Sequence, residues 1–348
     1  MLPYTIQCLV IACGAGLIAC GTDHVTLRAS NGTTPVEQAP ELLDVPPPSL
    51  ADSPASDGVS FASPYPTPPS SRAEQGIVDL RPPLLQQPPP TCKIDFLFVI
   101  DDSSSMQDEQ TNLARSFPGF VQVMQQIVEA QDLHIMVVGT GGRREDDDEP
   151  ALDPEQCDEV QGAGRRRSLD GVDCGLQTGL RYMVDGQPNL DETFACVAQV
   201  GTEGSLIEEP MDSVIAATSS ALNEPGRCNA GFLRDDAILV TFVITDEDDR
   251  RSSGDPEDWQ ELLLDVKRGD DRAIVVLGLV GDNNVEEGLL GGKCPSSDAD
   301  GAPRLQSFVR SMGGLLGSVC APDYTPFFQT AAGAIDSACT ALASRALP

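Results

Sequence analysis

Three oxygen-bearing side chains stand at alternate positions in Asp101-Asp102-Ser103-Ser104-Ser105, directly after the apolar run Phe96-Leu97-Phe98-Val99-Ile100. A carboxylate and two hydroxyls on one tight loop suit a hard divalent cation, which selects oxygen ligands. A second acid-rich loop, Thr245-Asp246-Glu247-Asp248-Asp249, follows an apolar run at 237–244. Runs without polar alternation read as strands buried on both faces, and in a parallel sheet their carboxyl ends share one edge. Open α/β sheets bind their ligands there, so the two loops can converge. A plainer alternative exists: Ser103 and Ser105 cap a following helix, and Asp246 is a loop acid.

Other chemistry is poorly furnished. Of the two histidines, His24 lies in a Pro-rich segment and His134 inside an apolar run. A Ser-His-Asp constellation therefore lacks its base, and His134 is expected to be a packed or edge side chain. Gly288-Leu289-Leu290-Gly291-Gly292-Lys293-Cys294 departs from a phosphate-binding loop at both ends, with Glu287 and Cys294 at the defining positions. From Asp246 to Glu257 the acids partly fit a calcium-binding helix-loop-helix, but Arg251 stands where that loop needs glycine. Asp246-Glu247-Asp248 resembles the D-x-D of haloacid-dehalogenase-type phosphotransferases, whose first acid is the nucleophile. Here Arg250 replaces the Thr or Val expected next, and the motif lies far from the start of its domain.

Strands and helices alternate around these loops. Leu113, Phe117, Phe120, Val121, Met124, Ile127 and Val128 recur at helical spacing, with Pro118 expected to kink that helix or begin a new turn. A second strand is expected at 133–139, and helices at 206–222 and from Pro256 onward. Further strands are expected at 273–280 and 315–320, and a closing helix at 325–345. Residues 141–199 read as a disulfide-stapled insertion that could hold short pieces finishing the sheet. Its acidic run 145–149 and Arg165-Arg166-Arg167 read as solvated surface. The fold class is α/β: a doubly wound, mostly parallel central sheet flanked by helices.

The chain of 348 residues carries a formal net charge of -32. Nucleic-acid binding needs basic patches, and these are nearly absent. Residues 1–20 read as an export signal, too short an apolar segment to span a bilayer. Leu17-Ile18-Ala19-Cys20 resembles the bacterial lipobox, which implies acylation of Cys20, although residues 1–7 carry no Lys or Arg. Residues 21–91, punctuated by Pro46-Pro47-Pro48 and Pro88-Pro89-Pro90, read as a Pro-rich disordered tether reaching at most roughly 200 Å. Of eleven cysteines, eight follow the tether: Cys92, Cys157, Cys174, Cys196, Cys228, Cys294, Cys320 and Cys339. An even number without a C-x-x-C pair points to disulfides in an oxidising compartment, and about a hundred pairings are open. Cys92 and Cys339 sit where a bond would clamp the ends of the domain.

From 92 to 348 the chain resembles the von Willebrand factor type A domains. Their metal-ion-dependent adhesion site uses D-x-S-x-S after the first strand, matched here by Asp101, Ser103 and Ser105. It also uses an aspartate after the fourth strand, matched by Asp246, and a threonine from a middle loop. Thr202 in Val200-Gly201-Thr202-Glu203-Gly204 is the leading candidate for that threonine, with Thr140 and Thr178 as alternatives. The resemblance implies Mg²⁺, or else Ca²⁺ or Mn²⁺, held by the hydroxyls directly and by Asp101 and Asp246 largely through water. An open position would then take an acidic side chain from a protein partner. The expected function is non-enzymatic adhesion by a lipid-anchored protein of the outer membrane or cell surface of a bacterial envelope. The alternatives are a phosphatase-like hydrolase with Asp246 as nucleophile, or a structural envelope protein with a vestigial metal site.

Overall fold

Lys93–Ile100 forms β1, and every residue of it from Ile94 onward is buried. It pairs in parallel with β2, Asp132–Gly139, on one side and with β4, Ile238–Thr245, on the other. Beyond β4 lie β5, Ile274–Val280, and β6, Leu315–Ser318, both parallel, while β3, Met183–Val184, joins the outer edge of β2 antiparallel. The sheet order is β3-β2-β1-β4-β5-β6. This is an α/β domain with a mixed, mostly parallel sheet, and the direction of winding reverses between β1 and β4. The computed structural model describes residues 92–127, 132–142, 156–168, 170–202, 208–295 and 297–344. The expected signal, Cys20, the tether and the acidic run 145–149 lie outside the described residues.

Alternation along the strands assigns helices to faces. Ile94, Phe96, Phe98 and Ile100 meet α1 (Gln107–Ile127), α2 (Leu190–Val197) and α7 (Thr325–Ala343) through Phe117, Phe120, Phe194 and Phe328. Leu97 and Val99 meet α3 (Pro210–Thr218), α5 (Pro256–Val266) and α6 (Pro303–Ser311) through Met211, Trp259 and Phe308. Both faces of the central strands are thus dry, which is why their sequences show no polar alternation. Among the described residues no helix is long and apolar enough to cross a membrane.

Three elements refine the expected pattern. α1 runs unbroken through Pro118, which is exposed, because Phe117 and Phe120 anchor both adjoining turns in the core. In the described part of the single helix expected at 206–222 there are two, α3 and α4 (Ser220–Asn223), divided where Ser219 turns extended. As expected, the segment 141–199 holds short pieces that finish the sheet, β3 and α2, and it adds to the core: Phe194 packs edge-on to Phe98 with ring centroids 4.9 Å apart.

All eight expected cysteines are paired, as Cys92–Cys339, Cys157–Cys228, Cys174–Cys196 and Cys294–Cys320. The clamp expected between the ends of the domain is present. Cys92–Cys339 closes 247 residues of chain and Cys174–Cys196 only 22. On chain entropy alone, removing the first pair with serines should cost about 2 kcal/mol more than removing the second. Denaturant midpoints of the two double-serine variants check this, and equal losses would contradict it.

Candidate metal centre

Asp101 and Asp246 leave the sheet on either side of the reversal point. Ile100 lies opposite Ile244, and Asp101 N–H donates to the Ile244 carbonyl at 3.0 Å. The Asp101 carboxylate is fully buried and held at both oxygens. Oδ1 accepts from Ser103 N–H at 2.7 Å and Oδ2 from the Thr245 hydroxyl at 2.5 Å. Such a carboxylate is oriented rather than free.

The serines are not spent on capping. Ser103 occupies the N-cap position of the 3-10 turn Ser104–Met106, yet its side chain makes no cap hydrogen bond. Its Oγ lies 3.1 Å from Ser105 Oγ instead. The Ser105 hydroxyl also lies near enough to the Asp246 carboxyl to favour its charged form, which sets the two loops side by side. Asp101, Ser103, Ser105 and Asp246 therefore come together.

The threonine candidates separate clearly. Thr178 is exposed in the turn closed by Leu180 N–H to Gln177 O. Thr140, fully buried at the end of β2, accepts from Asp102 N–H at 3.3 Å and donates to the Glu208 carboxylate. Half-buried Thr202 follows Gly201, whose φ of 112° is a conformation that favours glycine. Gln110 ties this residue to the first loop: its Nε2 donates to Asp101 O at 3.0 Å and Gly201 O at 2.7 Å, and its Oε1 accepts from Gly201 N–H at 3.3 Å. The middle loop thus lies against the Asp101 loop, and residues 203–207 lie outside the described residues.

Two participants escaped notice in the sequence. Gln110 had a visible signal, being a polar residue on the inward stripe of α1 between Met106 and Leu113. Glu208 had none, since an acid just before a helix is ordinarily solvated. Burial, reinforced by the negative charge of Asp101, pushes Glu208 up to about 8. Burial likewise pushes Asp246 up to about 6, with the Ser105 hydroxyl opposing it. Asp102 is raised by burial and then by Asp101. Oδ1 of Asp102, Oε1 of Glu208 and Oδ1 of Asp246 are buried without a hydrogen-bond partner. Unpartnered carboxylate oxygens in such a setting are costly, and a cation is the group that would satisfy them.

The run Arg165-Arg166-Arg167 is a correction. Arg167 is exposed, but Arg165 is half-buried, with its backbone N–H on Val137 O at 2.9 Å and its charge favourably placed toward Asp102. A buried acid cluster recruits the nearest available countercharge. The rival acids disperse as well: Asp248 Oδ1 accepts from Arg304 N–H at 3.0 Å, so Asp246 and Asp248 serve different places. Cys294 is in a disulfide, and His134, paired between β1 and β3, has its Nδ1 2.8 Å from Phe232 O and its pKa lowered by burial.

Among the described residues no group of three or more His, Cys, Asp or Glu is placed to hold a metal ion. The set that converges is of mixed type, hydroxyls beside carboxylates, and it suits a hard cation by its chemistry. Fold and site together define an α/β domain with a cluster of carboxylates and hydroxyls at its winding reversal. No protein-family model and no curated protein matches the chain. Two solved structures of proximal thread matrix protein 1 from the mussel byssus are similar to it. One, crystal form 2, shares 10% identity over 70% of this chain and 48% of that one, with a TM-score of 0.34. The other shares 9% over 71% and 48%, with a TM-score of 0.37. This chain spans about half the length of those structures, and likeness at that distance says nothing of the site.

The raised acids fix the sign of a pH effect. Between the ordinary value of 4.5 and about 8, folded Glu208 keeps a proton that the unfolded chain releases, and Asp246 does so between 3.8 and about 6. Their contribution is therefore fully present in acid and is lost as pH rises through the folded values. In chelator, the melting temperature should fall between about pH 5 and 8, and Glu208→Gln should flatten the upper part of that fall. A slope unchanged in Glu208→Gln would exclude Glu208 as its source.

Proposed function

We propose that the domain binds a protein partner through a divalent cation, Mg²⁺ or else Ca²⁺ or Mn²⁺, in the manner of von Willebrand factor type A domains. The observation that carries this reading is the meeting of Ser103, Ser105 and Asp246 beside Asp101 at the winding reversal, with buried carboxylate oxygens left unpartnered. Ser103, Ser105 and Thr202 would hold the ion through hydroxyl oxygens. Asp101, with both oxygens engaged, would act through water, and Asp246 would face the ion with its free Oδ1. Glu208 adds a further carboxylate within the field of Asp101. The cation supplies a positive centre able to accept a carboxylate from a partner; the chain's own residues orient it and offset its charge. Asp248 is occupied at a helix start, which supports binding over phosphotransfer at Asp246.

Saturating Mg²⁺ should raise the melting temperature of the wild type; at a hundredfold excess over Kd the stabilisation is about 2.7 kcal/mol. Asp101→Ala should abolish that rise. An equal response in the variant would remove the site from consideration. Partner capture from a native envelope should likewise fail in EDTA, whereas capture indifferent to chelator would favour a structural role with a vestigial site.

The envelope assignment stands on Cys20 and the spacer. Wild-type protein should carry an acyl mass and partition with membranes, and Cys20→Ser should lose both. Retention of membrane partitioning without any acyl mass in the wild type would refute lipid anchoring.

A further inference from the structure

The run Asp246-Glu247-Asp248-Asp249 divides its work among several places. Asp248 Oδ1 accepts from Arg304 N–H at 3.0 Å and Leu305 N–H at 3.4 Å, the first turn of α6. Asp249, 1% exposed, serves α3: its Oδ2 accepts from Met211 N–H at 2.9 Å. Its Oδ1 accepts from Ser252 N–H at 2.9 Å and Arg251 N–H at 3.2 Å, which shapes its own loop. The bond is returned from the other side. Asp212 N–H donates to Ser252 Oγ at 2.9 Å, and the Asp212 carboxylate accepts from Ser253 N–H at 3.1 Å.

This stitch falls at a point where the fold needs it. α3 begins with Pro210, so Met211 and Asp212 carry the first backbone donors of that helix, and helix starts leave such donors unsatisfied. Met211 lies three residues beyond Glu208. Asp249 lies three residues beyond Asp246. One carboxylate therefore ties the segment that begins at Glu208 to the loop that carries Asp246.

We infer that Asp249 is a positioning residue for the cation site, holding Glu208 in register with Asp246; this rests on the cation reading above. It acts through backbone, since its bonds go to N–H groups. Partners that orient ligands in this way typically change metal affinity by about tenfold to a hundredfold when removed. Asp248 provides the contrast, because it caps α6 from the same loop without reaching the segment of Glu208 and Met211.

Calorimetric titration of MgCl₂ into the wild type, Asp249→Asn and Asp248→Ala, with melting in EDTA, tests the inference. Asp249→Asn is isosteric, keeps an oxygen for the loop and sets an amide N–H₂ against Met211 N–H. It should weaken Mg²⁺ binding about tenfold or more, while Asp248→Ala lowers the melting temperature and leaves affinity within about twofold. Ser252→Ala, which cuts the return bond from Asp212, should shift affinity in the same direction as Asp249→Asn and serves if that variant does not fold. Wild-type affinity in Asp249→Asn or, where that variant does not fold, in Ser252→Ala would overturn the inference alone, as would equal weakening in Asp248→Ala. A wild type that takes up no Mg²⁺ would overturn the cation reading and this inference with it.

Discussion

Parallel pairing of β1 with β4 is the constraint on which the site depends. The register that sets Ile100 against Ile244 puts the residue after β1 and the residues ending β4 side by side, with Asp101 hydrogen-bonded to the neighbouring strand. Both faces of this pair are covered by helices, so acids at its end are desolvated by the architecture itself. The raised proton affinities of Asp246 and Glu208 follow from that placement. On the helix-covered face of the same strand pair, the rings of Phe98 and Phe242 stack with centroids 4.3 Å apart.

Much of this was legible in the residues. Unbroken apolar runs marked β1 and β4, and abrupt acids marked their ends, because a doubly buried strand leaves no room for polar alternation. The Cys92–Cys339 bond was legible from position at the two ends of the domain. The remaining pairings were not, since spacing along the chain does not reveal proximity across it. Gln110 could have been noticed as a polar interruption of an apolar stripe. Glu208 and Arg165 could not, because their burial is created by neighbours distant in sequence. Pro118 makes the related point that tertiary anchoring by Phe117 and Phe120 carries a helix on past a local breaker.

The acid-rich loop shows why counting charges is a poor guide to a site. Four consecutive acids look like one cation trap, yet they serve separate ends: Asp246 faces the Asp101 loop, Asp248 serves one helix and Asp249 another. Two of the four satisfy backbone donors that a Pro-initiated helix leaves open. The net charge of -32 does not locate the proposed cation site, which rests on a handful of buried oxygens.

The Cys92–Cys339 bond has a mechanical side. Cys92 immediately precedes β1, and its partner lies in α7, so the first residue of the folded domain is bolted to its last helix. Tension entering the chain from the amino-terminal side meets a covalent junction before it meets any hydrogen bond of the sheet. The load passes into α7, which packs along α1 and the sheet, instead of unzipping β1 from β2 and β4. The strand that positions Asp101 is thereby shielded from a pull on the end of the chain nearest to it.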